Sequence, residues 1–184
     1  MHVKRKTAKE ILAESFRELA QGMPIDKITV KDIIGNCGYS QATFYRQFRD
    51  KYDLIAWSYT RDLEQILNQL NGDAQSWRKT LAGVAGYYQQ HRQYLANLLT
   101  HTNGYDSFVV NMAGIHQKIL LKTMERLSGS ATLDESMRIY GQIYCYGTVL
   151  FSCDWILGKY SLSEKELAAV YENALPSPLA RYIK

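Results

Sequence analysis

The run TVKDIIGNCGYSQATFYRQFRDK, residues 29–51, marks three helix starts and one sharp stop in quick succession, and few folds accept that spacing. Thr29 stands three residues before Asp32, a capping-box pattern, so a helix is expected to begin there and to bury Val30, Ile33, Ile34 and Cys37 at helical intervals. Gly38 stops it. Ser40 can then cap the free amides of a short helix from Gln41 to about Phe48, in which Phe44 and Phe48 form an i,i+4 apolar pair. Asp50 and Asp53 repeat the capping pattern for a third helix.

At ~100° per residue, turning Phe44 and Phe48 inward leaves Ala42, Thr43 and Arg46 outward, with Tyr45 on the flank. That outward face is small, polar and basic, and it suits a helix lying in the major groove of double-stranded DNA. Short side chains near its N-terminus let the backbone approach, and Gln41 can offer its amide to an adenine edge. Tyr45, Arg46 and Lys51 are then expected on phosphates. Charge points the same way. Of 22 Lys/Arg and 18 Asp/Glu, eleven basic and seven acidic residues fall at or before Arg61, and eleven of each follow it. The whole formal excess of +4 therefore travels with the motif, as the electrostatic footprint of a duplex would require.

The pattern T-x-x-D-I-I-x-x-x-G-x-S-x-x-T-F-Y-x-x-F-x-x-K, from Thr29 through Lys51, resembles the N-terminal domain of TetR/AcrR-family transcriptional regulators. The resemblance implies DNA contacts from Thr29, Lys31, Ser40, Gln41, Ala42, Thr43, Tyr45 and Lys51, with the tyrosine and lysine as phosphate clamps. Ala42 departs in offering no hydrogen bond, so its contribution would be apolar, for instance toward a thymine methyl. A weaker resemblance covers the C-terminal part: W-R-K-T-L from Trp77, H-R-x-Y-L-x-x-L-L from His91, and Y-G-T-V-L-F-S-C-D-W-I-L-G-K-Y-S-L-S-E-K-E-L resemble a branch that includes dihydroxyacetone-kinase operon regulators. Within that branch some members are activators and some work through a kinase-like protein coactivator, which implies either a small-molecule effector or a protein coactivator.

Other function classes find little support. No G-x-S-x-G, phosphate-cradling glycine loop, H-E-x-x-H or clustered His/Asp/Glu is present, so no catalysis and no cofactor are expected. Cys37, Cys145 and Cys153 make an odd count without a C-x-x-C pair, and Cys145 lies ~12 Å along a helix from Cys153, too far to bridge. All three read as buried small apolar groups, and no metal site is expected. No stretch approaches ~18 uncharged apolar residues, and MHVKRKTAKE runs into an amphipathic helix, so neither membrane span nor secretion is expected and the protein should be cytoplasmic.

With 184 residues, three prolines and no sustained alternation, the chain reads as all-α. Helices are expected over about 7–21 and, after the motif, from Asp50 to Asn71-Gly72, then over 76–90, 91–101, 105–127, 132–157 and 163–175. Thr132 with Glu135 and Ser163 with Glu166 are capping boxes. The helix over 132–157 is apolar around most of its circumference, which implies burial on two sides. Its line of small residues, Gly141, Cys145, Thr148 and Ser152, would admit a partner helix, and with Leu167, Val170 and Tyr171 of the last helix would form half of a four-helix dimer interface. Tyr87, Tyr88, Tyr94, Tyr105, Tyr140 and Tyr144, on inward-looking stripes, are candidates for a ligand pocket or for core packing with satisfied hydroxyls.

These readings define an expectation. Residues 1–52 form a three-helix DNA-binding head with a helix-turn-helix, and residues 53–184 form a helical bundle for dimerisation and for effector or partner binding. The function expected is a homodimeric, sequence-specific regulator on an inverted repeat. The alternative is a co-regulator of the same fold that acts by protein–protein interaction without its own DNA binding.

Overall fold

A computed structural model describes residues 5–102, 108–129 and 132–183; Tyr105, a pocket candidate, lies outside them. Among the described residues the chain forms ten α-helices and no strand. The head holds α1 (Ala8–Leu19), α2 (Val30–Cys37) and α3 (Gln41–Gln47), with a 3-10 turn at Ile25–Lys27 between the first two. Local chemistry sets each boundary. Thr7 and Glu10 close a capping box on α1, and Thr29 and Asp32 close another on α2. The hydrogen bonds from Thr29 hold the Asp32 carboxyl below the usual carboxylate range. Gly38 ends α2 in the left-handed region at φ 74°, its N–H donating to the Ile34 carbonyl. Ser40 Oγ then accepts the Thr43 N–H at 3.2 Å and starts α3.

Leu12, Phe16, Ile25, Ile28, Ile33 and Phe44 form the head's core with no solvent exposure, and Phe48 adds to it. In α2 only Ile33 is fully buried. Val30, Ile34 and Cys37 are half-buried against this core.

The fourth helix, α4 (Lys51–Leu67), starts on Asp50, whose Oδ1 accepts the Tyr52 and Asp53 N–H groups at 2.8 Å each. It stops at Leu67, short of the expected Asn71-Gly72. It packs on α1 and also on α5 and α7, so a single element belongs to both head and body. The body is completed by α5 (Ala74–Gln90), α6 (Arg92–His101), α7 (Phe108–Ser128), α8 (Glu135–Ile156), α9 (Glu164–Asn173) and a short α10 (Ser177–Ala180) that the sequence did not announce.

α8 lies along α7, and α9 along α5. The Ser163–Glu166 box caps α9 as expected, whereas α8 is capped by Asp134, which accepts the Met137 N–H at 2.8 Å, instead of by Thr132. At the other end of α8, Arg92 donates to the carbonyls of Trp155 (2.7 Å) and Ile156 (3.0 Å) in the last turn.

The facing of α8 reverses the sequence expectation. Gly141, Cys145 and Ser152 are buried in the chain's own body and Thr148 is half-buried; Leu167 and Tyr171 of α9 are buried too. The close approach is to α7: a Cβ at Gly141 would stand 2.8 Å from Leu121 Cδ2. The opposite side exposes Ile139, Ile143, Tyr146, Leu150 and Leu157, and Val170 of α9 is exposed as well. Periodicity had shown that α8 is apolar all round, and in such a helix the sequence cannot tell the inside from the outside.

Candidate nucleic-acid interface

α3 is held from beneath by Phe44 and Phe48, whose ring centres lie 5.9 Å apart. With those rings buried, Gln41, Ala42, Tyr45 and Arg46 point to solvent, and Thr43 is half-buried because its Oγ1 pairs with Ser40 Oγ at 3.0 Å. Tyr45 is 52% exposed and meets Phe44 edge-on at 5.4 Å, so its ring direction is fixed while its hydroxyl remains outside. Lys31, on the first turn of α2, is exposed, and Thr29 is exposed at the cap before it. The helix-turn-helix thus presents amide, methyl, phenol and guanidinium on one continuous outer face. No Asp or Glu occurs between Asp32 and Asp50 to oppose a phosphate backbone there.

Lys51 departs from its expected role. Its Nζ donates to the carbonyls of Ile28 (2.7 Å), Ile25 (2.8 Å) and Asp26 (3.1 Å). An ammonium has three hydrogens, and here two carbonyls of the 3-10 turn and that of Ile28 just after it take them. The enclosure lowers the Lys51 pKa through desolvation, which Asp26 and Asp32 partly oppose. Lys51 therefore ties the start of α4 to the loop between α1 and α2, where it shapes the head.

Polar links join the head to the body. Arg17 of α1 pairs with Asp62 and donates to Ser58 Oγ at 2.8 Å, both on α4, and its guanidinium lies 5.5 Å from the Tyr94 ring. Asn97 of α6 donates to the Ala20 and Met23 carbonyls and accepts from the Ile25 N–H. A third network lies inside the body: Tyr59 of α4, Tyr88 of α5 and His116 of α7 meet with Tyr59 Oη 2.8 Å and Tyr88 Oη 3.0 Å from His116 Nε2. Burial drives the His116 pKa down to about 4, so the ring is neutral near pH 7.

The tyrosine candidates scatter. Tyr88 and Tyr144 line one body cavity, whereas Tyr87 faces a surface groove with Arg17 and Asp62. Tyr94 packs edge-on against Phe16, and Tyr140 is on the surface. Trp77, Thr148 and Tyr171 line the cavity as well; Trp77 carried no such expectation, since an indole on an apolar stripe reads as core.

A helix-turn-helix head and a body helical throughout its described residues, sharing one long helix, define a class by fold, that of all-α proteins built on a helix-turn-helix. Comparison with known proteins makes the class specific. Residues 11–56, within and just past the head, match the model of bacterial regulatory proteins of the tetR family. A curated relative, the HTH-type dhaKLM operon transcriptional activator DhaS of Lactococcus lactis, is 23% identical over 99 residues, which cover 54% of this chain and 52% of that protein. The match thus spans about half the length of the curated relative.

Among solved structures, the dihydroxyacetone kinase operon activator DhaS superposes with a TM-score of 0.66 at 17% identity, covering 96% of this chain and 98% of that one. A TetR transcriptional regulator from Streptococcus agalactiae 2603V gives 0.62 at 17% identity, over 91% and 93%. These likenesses establish the fold along nearly the whole chain. The matched family and the curated relative are transcription regulators, not enzymes. No helix among the described residues is long and apolar enough to cross a membrane.

Proposed function

We propose that this chain is a sequence-specific transcription regulator that binds double-stranded DNA as a homodimer on an inverted repeat, under the control of a molecule bound by the body. The observation that carries the reading is the outer face of α3, where Gln41, Ala42, Tyr45 and Arg46 stand exposed above a buried Phe44 and Phe48. In this reading Gln41 to Thr43 approach base edges, Tyr45 and Arg46 bind phosphates, and Lys31 adds a phosphate contact from α2. Thr29 and Ser40 contribute through the two helix N-termini that they cap.

Dimerisation is supported by the exposed apolar stripe of α8 and Val170 of α9. Ile143 is 64% and Leu150 59% exposed, an arrangement that a lone chain would leave in water. Two heads related by a two-fold axis would read two half-sites. Resemblance of the head to a regulator family and likeness to the dihydroxyacetone kinase operon activator support the same reading.

Duplex affinity as a function of salt, measured by fluorescence anisotropy on the full chain, tests it. Affinity should fall steeply and linearly on logarithmic axes. Absence of salt-dependent duplex binding would leave the co-regulator without DNA binding as the better reading.

A further inference from the structure

Gln41, Ala42 and Thr43 open α3; the first two are exposed and the third is half-buried. Each base pair shows the major groove its own atoms, and each base has a matching kind of side chain. Arginine or lysine suits the two acceptors of guanine, a carboxylate the amino group of cytosine, an amide adenine, and an apolar group the methyl of thymine. Gln-Ala-Thr supplies only the last two. No Asp or Glu occurs between Asp32 and Asp50, and the one cation of α3, Arg46, comes a full turn after Ala42. The opening turn is thus equipped for A·T pairs and for neither base of a G·C pair.

Thr43 is the residue that would blur this choice, because an uncommitted hydroxyl pairs with bases of either kind. Its hydroxyl is committed. Thr43 Oγ1 lies 3.0 Å from Ser40 Oγ, and the same Ser40 oxygen accepts the Thr43 N–H at 3.2 Å. The side chain is held to the cap by its oxygen, and the γ-methyl is the part it has left to offer. Ala42, exposed next to it, has nothing but a methyl. Phe44, with no solvent exposure, anchors the same turn to the head's core, so both methyls stand on a fixed backbone. Two neighbouring methyl groups with one amide before them match the C5-methyl groups of adjacent thymines and the edge of an adenine.

We propose that α3 reads a short run of A·T pairs in each half-site, with the Gln41 amide on an adenine and the methyl groups of Ala42 and Thr43 packed against the C5-methyl groups of thymines. This rests on the regulator reading above and adds to it which bases are read and by which atoms. Readout through methyl groups has a distinctive chemical consequence. Uracil keeps every hydrogen-bonding group of thymine and lacks only the methyl, so exchanging one for the other removes the apolar contact alone. One methyl-sized contact is worth roughly a fourfold change in affinity.

Selection from a random duplex pool by the full chain supplies the site, and uracil exchange in the best duplex supplies the test. Each half-site should hold adjacent A·T pairs at the positions where Gln41→Ala and Thr43→Ser alter the preference. Replacing single thymines there by uracil should weaken binding roughly fourfold at one or two positions per half-site, while the same exchange in the flanks changes nothing. Thr43→Ser keeps the hydroxyl that pairs with Ser40 and removes only the methyl. It should weaken the thymine duplex by a similar factor and abolish the uracil effect at one position. G·C pairs at the positions sensitive to Gln41 and Thr43, an A·T run that uracil does not weaken, or a uracil effect unchanged in Thr43→Ser and in Ala42→Gly would each overturn methyl readout and leave the regulator reading standing. A pool with no enriched sequence would sink the regulator reading itself, and this proposal with it.

Discussion

The side-chain amide of Asn97, in the middle of α6, donates to the carbonyl oxygen of Ala20 at the end of α1 at 2.8 Å. The same amide nitrogen reaches the Met23 carbonyl at 2.8 Å, and Asn97 Oδ1 accepts the Ile25 N–H at 3.2 Å. Three backbone groups that no helix can satisfy are thereby paired across the head–body junction. Asn97→Ala should cost about 2–4 kcal/mol, because two carbonyls and one N–H lose their partner in a partly buried place. Asn97→Asp should be worse, since a carboxylate would then face the two carbonyls. Urea unfolding followed by circular dichroism measures both.

Lys51 and Arg46 should separate cleanly. Lys51→Met removes the donor shared by the Ile25, Asp26 and Ile28 carbonyls, so head stability should fall by about 1–3 kcal/mol. The salt dependence of duplex binding by the folded variant should barely change. Arg46→Ala, on the exposed face of α3, should leave stability within about 0.5 kcal/mol and reduce the logarithmic salt slope by roughly one. Thermal unfolding and a salt titration of anisotropy give the two readings.

The contrast shows where sequence is informative. The caps of Thr29 and Ser40 and the stop at Gly38 act over three or four residues, so their chemistry is written locally and the head follows from it. The partners of Lys51 lie more than twenty residues away, and only the packed head brings them to its ammonium. The α8 helix posed the same problem in another form. Leu121, which fills the space at Gly141, belongs to a different helix, and no pattern within 132–157 announces it.

His116 predicts an acid-sensitive body. Its folded pKa of about 4 lies below the ordinary 6.5, so between those values the unfolded chain binds a proton that the folded chain refuses. Stability from this group is complete above about pH 6.5 and declines as the pH falls toward 4, by roughly 3 kcal/mol across the window. His116→Gln retains an acceptor for the Tyr59 and Tyr88 hydroxyls and should flatten that decline. Urea midpoints at pH 7 and pH 4.5 for both proteins provide the check.

If α8 and α9 form the dimer face, Ile143→Asp should convert a dimer to a folded monomer, because Ile143 lies in the middle of the exposed stripe. Sedimentation velocity reads the change. An equally stable dimer for Ile143→Asp would place the interface elsewhere.

Selection of bound sequences from a random duplex pool by the full-length protein tests the central claim most directly. The account predicts enrichment of an inverted repeat, with Gln41→Ala relaxing the preference at one or two positions in each half-site and leaving the rest intact. A pool that shows no enriched sequence, or only an unsymmetrical one untouched by Gln41→Ala, would contradict it.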